Sequence, residues 1–288
     1  MKKIIIYPNA DIDSGFEMTL TVYKMLRERG RKAIFCPMVY EDGTICSTEL
    51  DITKFKLDPA VIEHELPNAE MVITIGGDGT MLRAARITAD SGVPILGINM
   101  GGKGFLAELE CEDISLINSA ADGKYKIESR MMIDIEILRD NEQVYKDFAL
   151  NDVVIKGDNK VIDLTLSGDN QRITRFSGDG TVIATPTGST AYSMSAGGPL
   201  VEPLAQNIII TPICAHILTA KSIVLASERC VTVEIGTKKH NPAYMSVDGG
   251  KHTDVHGGDI INIRKSKLIT KLIRIKEKSF YQTVSEKF

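Results

Sequence analysis

The tetrapeptide Gly-Asp-Gly-Thr occurs twice in the chain, at Gly77–Thr80 and at Gly178–Thr181. The first copy follows an apolar run, Met71–Ile75, that is typical of a buried parallel strand, and a helix-compatible stretch follows it. Glycine lets the backbone approach a phosphate closely, and the amides at a helix start bind anions. A carboxylate at Asp78 repels phosphate in such a turn, so it indicates chemistry: magnesium binding, or removal of a proton from a hydroxyl group.

A long polar segment follows the second copy of the tetrapeptide. The strand-like residues Thr181–Thr185 lead into Pro186-Thr187-Gly188, and we expect a helix to begin near Ser189 or Thr190. Amides without helical partners and several hydroxyl groups gather at such a start, and Tyr192 offers a flat ring on which a base can stack. With glycines on both sides, the segment favours a nucleotide site over an ordinary helix cap.

Two further segments carry groups suited to a ligand. Asn151-Asp152 places an amide beside a carboxylate, a pair that either forms a turn or binds the hydroxyl groups of a ribose. Gly97–Leu106 is rich in glycine, but Gly104 stands where a Walker A loop requires Ser or Thr, so we reject that motif. This segment is either a ligand loop at the carboxyl end of a parallel strand or a plain connection.

Composition restricts the class of protein. The 288-residue chain has a net charge of −4, which does not favour binding to nucleic acid. No apolar run has membrane-spanning length and no secretory signal is present, so we expect no membrane partner and a cytoplasmic location. Five widely spaced cysteines predict free thiols in a reducing compartment. His252 and His256 lie close together, but in glycine-rich surroundings that do not favour a permanent metal site.

Strand and helix patterns divide the chain into three parts. Residues 1–108 alternate strand-like and helix-like patterns, which predicts a Rossmann-like α/β nucleotide-binding domain with a parallel sheet. Residues 109–265 contain at least seven short strand patterns, which predicts an antiparallel all-β domain. Residues 266–288 are expected to pack back on the first domain, with apolar residues at helical spacing in Phe280–Phe288.

These residues resemble the NAD kinase family over nearly the whole chain. The likeness rests on Gly76–Thr80, on Gly97–Asn99 through Gly104–Leu106, on Asn151-Asp152, and on Asp179-Gly180 with Thr185–Pro199. The last segment is the most specific, whereas the first is shared with diacylglycerol-type lipid kinases and phosphofructokinases. The resemblance implies phosphorylation of the adenosine 2′-hydroxyl group of NAD by ATP with magnesium. It also implies a homo-oligomer, a dimer or a tetramer, whose active sites lie between domains and near a subunit interface.

The resemblance assigns roles in the first domain. Asp78 is expected to be the proton acceptor, with Gly79 beside it at the substrate. Arg83, five residues after Asp78, is expected to face phosphate. Asn99 and Phe105 are expected on the adjoining loop of the same site.

The resemblance assigns the remaining contacts to the second domain. Asn151 and Asp152 are expected to hold ribose hydroxyl groups, and Asp163 falls where some relatives place a basic or histidine contact. Thr187 is expected near the adenine. The rest of the dinucleotide is expected to contact Asp179, Thr190, Ala191, Tyr192, Ser193, Met194 and Ser195.

Two other functions remain open from the sequence. A lipid kinase of the same superfamily usually carries a Pro-x-Gly-Thr-x-Asn-Asp segment, which Pro94–Asn99 lacks. A non-catalytic dinucleotide sensor gains nothing from a carboxylate such as Asp78 beside phosphates. Formation of NADP from ATP, magnesium and NAD, measured against a lipid acceptor, distinguishes these functions.

Overall fold

The computed structural model describes residues 2–36, 62–102, 104–217, 219–237, 241–277 and 279–287. The chain divides into two compact units. One consists of Met1–Ser129 and Thr270–Phe288, and the other of Arg130–Ile269. Among the described residues, no helix combines the length and the apolar character needed to cross a membrane.

The first unit contains a parallel sheet. Its strands are β1 (Lys3–Pro8), β2 (Ala33–Phe35), β3 (Ala69–Gly76), β4 (Ile95–Asn99) and the short β5 (Leu109–Glu110). The strand order is β4-β3-β1-β2, with β5 beside β4. The α-helices are α1 (Glu17–Glu28), α2 (Ile62–Glu65), α3 (Asp78–Thr88) and α4 (Ile117–Ala121), with 3₁₀ turns at Leu66–Asn68 and Cys111–Leu116.

The core of the first unit joins sheet and helices. Ile73 and Ile75 of β3 are fully buried, which explains the continuous apolar run of that strand. Leu26 of α1 and Ile117 of α4 lie in the same apolar cluster. Because α4 packs there, the unit extends to residue 129, past the position 108 at which the sequence patterns change.

The second unit is built from antiparallel strands. They are β6 (Lys126–Arg139, which begins in the first unit), β7 (Glu142–Ala149), β8 (Asp152–Gly157), β9 (Ile162–Gly168), β10 (Gln171–Gly178), β11 (Gly180–Ala184), β12 (Asn207–Ile213), β13 (Ile223–Ala226), β14 (Val231–Ile235), β15 (Ala243–Val247) and β16 (Thr253–Val255). A one-turn α-helix, α5 (Tyr192–Ser195), lies after β11. Six strands form a sheet in the order β13-β12-β11-β8-β15-β16, while β9 pairs with β10 and β14, and β6 with β7.

The chain ends in β17 (Ile260–Arg274) and α6 (Phe280–Lys287). The sequence predicts a strand at 260–264 and is ambiguous at 268–275, whereas one strand covers nearly all of both stretches. Leu272 of β17 pairs with Ile95 of β4 in the first unit, where it is buried. The predicted fold class, α/β followed by antiparallel β with a returning C-terminal tail, is therefore confirmed. Phe288 and Lys103, which the sequence patterns included, lie outside the described residues.

Candidate active site

The first Gly-Asp-Gly-Thr turn connects β3 to α3. β3 ends at Gly76, and α3 begins at Asp78. A Cβ atom at Gly76 would overlap Oγ1 of Thr80 and approach Cβ of Asn9 to 3.0 Å. The turn therefore requires glycine at position 76. The tight turn places a carboxylate in the first turn of a helix that follows a buried parallel strand, as the sequence predicts.

The Asp78 carboxylate is held by the loop that follows β4. Its Oδ2 accepts a hydrogen bond from the backbone N–H of Phe105 at 2.7 Å, and its Oδ1 accepts one from Leu106 at 3.1 Å. A Cβ atom at Gly104 would lie 2.8 Å from Asp78 Oδ1 and 3.4 Å from Asn99 Oδ1. The loop therefore fits against the carboxylate only because residue 104 is glycine, and it fixes the orientation of that carboxylate.

Asn99 presents a buried acceptor atom beside this loop. Its Nδ2 donates to the backbone O of Gly102 at 3.0 Å and to Oε2 of Glu110 at 2.7 Å, which fixes the orientation of the amide. Its Oδ1 is buried and has no hydrogen-bond partner among the described residues. An unsatisfied buried acceptor costs about 1–3 kcal/mol, so the atom marks a position where a ligand can supply a donor.

Gly79 and Arg83 lie on the exposed side of α3. They are four positions apart, which places them on one face of the helix. A Cβ atom at Gly79 would meet no other atom within 4 Å, so open space adjoins the residue after Asp78. The first unit thus brings Asp78, Asn99 and the Phe105 backbone together, with Gly79 and Arg83 on the helix that begins at the carboxylate.

In the second unit, Asp248 holds the backbone of the Asn151-Asp152 pair. Its carboxylate accepts three backbone N–H groups, from Leu150 at 2.8 Å, from Asn151 at 2.8 Å and from Asp152 at 3.1 Å. Asp248 has a φ of 48° and Gly249 a φ of 69°, a left-handed turn after β15. Sequence reasoning did not single out Asp248 as a site residue, although Asp-Gly after a strand is a turn signal that would have drawn attention to it.

The carbonyl groups of the same segment are held by Thr185. Its backbone N–H donates to the O of Asn151 at 2.8 Å, and its hydroxyl donates to the O of Leu150 at 2.5 Å. A Cβ atom at Gly188 would overlap the O of Asn151, so the next turn packs directly on this backbone. Because amides and carbonyls are both fixed, the directions of the Asn151 and Asp152 side chains are set by the fold.

The side chains of this pair have the electrostatics of a binding site. Asn151 Oδ1 is buried and lacks a hydrogen-bond partner within the described part of the chain. Asp152 is 5 % exposed. Burial, together with the charge of Asp248, raises the pKa of the Asp152 carboxyl group to about 7. An acceptor without a donor beside an acid of raised pKa is the arrangement expected where ligand hydroxyl groups bind.

Two short helical turns lie after β11, close to the helix start that the sequence predicts near Ser189 or Thr190. A 3₁₀ turn covers Thr187–Thr190, and α5 is a single turn at Tyr192–Ser195. Ala191 separates them with φ −102° and ψ −132°, outside the helical region. Helical structure is therefore present at the predicted place, as two short turns and not as one continuous helix.

Some of the predicted ligand-binding residues in this segment use their side chains in hydrogen bonds within the protein, whereas others are accessible to a ligand. Ser193 is buried, and its hydroxyl bonds to that of Thr211 at 2.9 Å. Thr187 is buried and accepts a hydrogen bond from the guanidinium group of Arg130 at 3.2 Å. The side chains at least partly accessible to a ligand are Thr190, Ala191, Tyr192, Met194 and Ser195.

The last two predicted acids lie near the second tetrapeptide. Asp179 follows β10 and lines a pocket of about 320 Å³ with Lys156 and Tyr244. The Tyr244 ring stacks on His252, with 4.0 Å between the ring centroids. Asp163, on β9, accepts a hydrogen bond from the hydroxyl group of its strand partner Ser177. Asp179 therefore has open space beside it, whereas the Asp163 carboxylate is engaged within the sheet.

The chain matches two family models. Residues 4–124 match the ATP-NAD kinase N-terminal domain, and residues 150–275 match the ATP-NAD kinase C-terminal domain. The chain is 36 % identical to the NAD kinase of Ruminiclostridium cellulolyticum, over 100 % of this chain and 98 % of that protein. It is 39 % identical to the NAD kinase of Carboxydothermus hydrogenoformans, over 79 % of this chain and 82 % of that protein.

Two solved structures have a similar fold. The yeast NADH kinase complexed with NADH has a TM-score of 0.83 at 23 % identity, covering 99 % of this chain and 87 % of that chain. The NAD kinase of Archaeoglobus fulgidus in complex with ATP has a TM-score of 0.72 at 24 % identity, covering 100 % and 98 %. These structures support the fold, and the family models and full-length relatives decide the family. The chain belongs to the NAD kinase family.

Proposed function

We propose that this protein transfers the γ-phosphoryl group of ATP to the adenosine 2′-hydroxyl group of NAD, forming NADP and ADP. Its family and its full-length relatives support this reaction. Within the molecule, one observation carries the proposal. The Asp78 carboxylate stands in the first turn of α3, in a glycine turn suited to phosphate, and two backbone amides fix its orientation.

Asp78 accepts the proton of the 2′-hydroxyl group in this proposal. Each carboxylate oxygen uses one lone pair for a backbone N–H, from Phe105 or from Leu106, and keeps another for the substrate. Positioned proton transfer contributes typically ~10²–10⁴-fold to a rate. The transition state of phosphoryl transfer is loose, so the same carboxylate also serves by orienting the hydroxyl group in line with the phosphorus atom.

Arg83 and Gly79 complete the phosphate side of the reaction. Arg83 supplies positive charge on the exposed face of α3, and Gly79 leaves room for the phosphate beside Asp78. Magnesium enters with the phosphates of ATP. In the described residues, no group of three or more His, Cys, Asp or Glu side chains is arranged to hold a metal ion. Magnesium in kinases is usually held by substrate phosphates together with one or two carboxylates.

Asn151 and Asp152 bind the ribose hydroxyl groups of NAD in this proposal. The unsatisfied Asn151 Oδ1 accepts from one hydroxyl group. The Asp152 carboxyl group, whose pKa is raised to about 7, acts as donor or acceptor near neutral pH. Tyr192 is exposed and offers a stacking face for a base. Asp179 lines the pocket beside Lys156 and Tyr244 and suits a polar part of the dinucleotide.

Oligomeric state and location are also proposals. We expect a homo-oligomer in the cytoplasm, with nucleotides rather than nucleic acid or membranes as partners. The net charge of −4 supports the absence of a nucleic-acid surface. The described cysteines, Cys36, Cys111, Cys214 and Cys230, are free, as is usual in a reducing compartment. Light scattering coupled to gel filtration measures the oligomeric state directly.

The reaction is tested with purified protein, ATP and magnesium. NAD and a diacylglycerol are offered in parallel, and NADP is measured with an NADP-specific dehydrogenase. We expect NADP to form in proportion to the ADP released. Phosphorylated lipid without NADP would indicate a lipid kinase, and NAD binding without ADP release would indicate a sensor. Omission of magnesium tests its role separately, since NAD binding should persist while turnover stops.

A further inference from the structure

We infer that Arg274, in the last strand of the chain, is a positioning residue that holds the loop orienting the Asp78 carboxylate. We call Gly104–Glu108 the aspartate loop, because its amides bind Asp78. The inference rests on the proposed role of Asp78. It extends that role to a strand about 200 positions further along the chain, to which the family resemblance assigned no function.

Arg274 contacts the aspartate loop directly. Its Nη1 donates to the backbone O of Leu106 at 3.1 Å and lies 3.3 Å from Oε2 of Glu108. Its Nε donates to Oε1 of Glu128 at 3.0 Å. The Arg274 side chain is 19 % exposed and that of Glu108 8 %. Charge-assisted bonds in such a setting hold geometry well, and the planar guanidinium group presents its five donors in a fixed arrangement that several acceptors can share.

The two residues that follow β17 are bound from the loop side. The Glu108 carboxylate accepts the backbone N–H of Ile275 at 2.7 Å and that of Lys276 at 2.6 Å. The loop and the end of the chain's last strand are thus joined in both directions, by an arginine side chain to a loop carbonyl and by a loop carboxylate to the two amides just after the strand. A shift of either segment would break several of these bonds at once.

Leu106 connects this network to the site. Its carbonyl oxygen accepts from Arg274, and its N–H donates to Oδ1 of Asp78. The two groups belong to one residue, so displacement of its carbonyl also moves the amide that binds the carboxylate. A second contact points the same way: Nζ of Lys287 in α6 lies 4.9 Å from the centroid of the Phe105 ring, and Phe105 provides the other amide.

The test compares Arg274→Met with Arg29→Met. Arg29 also forms a carboxylate pair in the first unit, with Asp122 at 3.1 Å, but it does not contact the aspartate loop. We expect Arg274→Met to lower kcat by about 10- to 100-fold, the effect of a small misplacement of a reacting group. KM for NAD and for ATP should stay within about threefold of the parent, because Asn151 and Asp152 of the second unit and Gly79 and Arg83 of α3 are unchanged. Arg29→Met should keep the parental kcat.

Hydrogen exchange of the amides in residues 104–110, compared with the other amides of the first unit, separates local loosening of the loop from a general loss of stability. Exchange should be faster in Arg274→Met, and unchanged in Arg29→Met, at the same temperature below both melting transitions. Arg274→Lys keeps the positive charge but loses the planar arrangement of N–H donors. We therefore expect an exchange rate and a kcat between those of the parent and of Arg274→Met. This variant also carries the test if Arg274→Met does not fold.

Two outcomes would overturn the inference. One is a parental kcat with unchanged exchange in Arg274→Met or, where that variant does not fold, in Arg274→Lys. The other is an equal loss of kcat in Arg29→Met. The proposed role of Asp78 fails separately, through an active Asp78→Asn variant, and the proposed function fails through absence of NADP formation by the parent. In that case the exchange data still report whether Arg274 holds the loop.

Discussion

The backbone N–H of Phe105 donates to Oδ2 of Asp78 at 2.7 Å, across 27 positions of sequence. The two residues follow neighbouring parallel strands, since Gly76 at the end of β3 is paired with Asn99 at the end of β4. The carboxyl edge of the sheet therefore supplies both the carboxylate and the amide that orients it.

Asp78→Asn should keep the fold and lose turnover. The amide group cannot accept the proton of the 2′-hydroxyl group, and its NH₂ cannot accept from a backbone N–H. We expect kcat to fall by ~10²–10⁴ and the free energy of unfolding to fall by about 1–3 kcal/mol. Asp90→Asn, which alters an exposed carboxylate just after α3, is the matched control. If Asp78→Asn turns over within a few-fold of the parent at saturating substrates, Asp78 is not the proton acceptor.

Asn151→Ala should weaken NAD binding without destabilising the free protein. The lost contact is worth about 0.5–1.5 kcal/mol, or roughly 2- to 12-fold in the dissociation constant. In the free protein, Asn151 Oδ1 has no hydrogen-bond partner in the described part of the chain, so its removal sacrifices no bond. Calorimetric titration with NAD and with a 2′,3′-dideoxy analogue checks this. If the parent binds both equally well, the ribose contact does not exist.

Asp152→Asn should stabilise the ligand-free protein at alkaline pH. The folded pKa of about 7 exceeds the ordinary value of 3.8, so the folded protein binds the proton more tightly than the unfolded chain does. The resulting stability is complete below pH ~4 and is lost as the pH rises to ~7. The shift of 7 − 3.8, about 3 units, corresponds to roughly 4 kcal/mol.

Urea denaturation at pH 5 and pH 8 measures this effect. The gain in unfolding free energy of Asp152→Asn over the parent should be larger at pH 8. Asp254→Asn changes an exposed carboxylate in the same unit, and its difference from the parent should be similar at both pH values. Parallel curves for Asp152→Asn and the parent would mean that the Asp152 carboxyl group is ionised in the fold at neutral pH.

Asp248→Gly should raise KM for NAD and leave KM for ATP near its parental value. The variant keeps the left-handed turn but removes the acceptor of three backbone amides that fix Asn151 and Asp152. Asp248→Asn should restore much of the affinity, because Oδ1 alone accepts two of those amides. Equal KM values for NAD in the parent and in Asp248→Gly would show that the pair keeps its geometry without this carboxylate.

Ala191→Glu should weaken NAD binding severely, whereas Ser195→Ala should be mild. A carboxylate at Ala191 brings charge and bulk toward an anionic ligand, while loss of one neutral hydroxyl group costs about 0.5–1.5 kcal/mol. If the segment does not bind NAD, an acid beside the first turn of α5 would be neutral or stabilising by ~0.3–1 kcal/mol. Thermal stability and NAD affinity are measured together, and unchanged affinity with an equal or raised melting temperature removes Ala191 from the site.

The local pattern of apolar residues predicted the parts of the site that lie at the ends of buried strands. The apolar run before Gly76 placed Asp78 between a strand and a helix, and the adjacent strand placed Asn99 and Phe105 nearby. Parallel strands end at a common edge, so order along the chain was enough to predict this neighbourhood.

Other parts depend on pairing that no local pattern encodes. Asp248 reaches Asn151 across 97 positions because β15 pairs with β8, and the sequence alone does not specify that register. The interruption at Ala191 between the two helical turns after β11 is another feature that no local pattern indicated. Ser193 of the second turn bonds to Thr211 of β12, a contact that depends on the tertiary fold.

The bonds from Glu108 to Ile275 and Lys276 span 167 and 168 positions. During synthesis the N-terminal part of a chain emerges first, whereas closing so long a loop requires the last strand to be present. Catalytic competence should consequently be among the last properties that the nascent chain acquires. A ribosome-stalled chain that lacks the residues after 270 would carry every NAD-binding and phosphate-binding residue named above and still be a poor kinase.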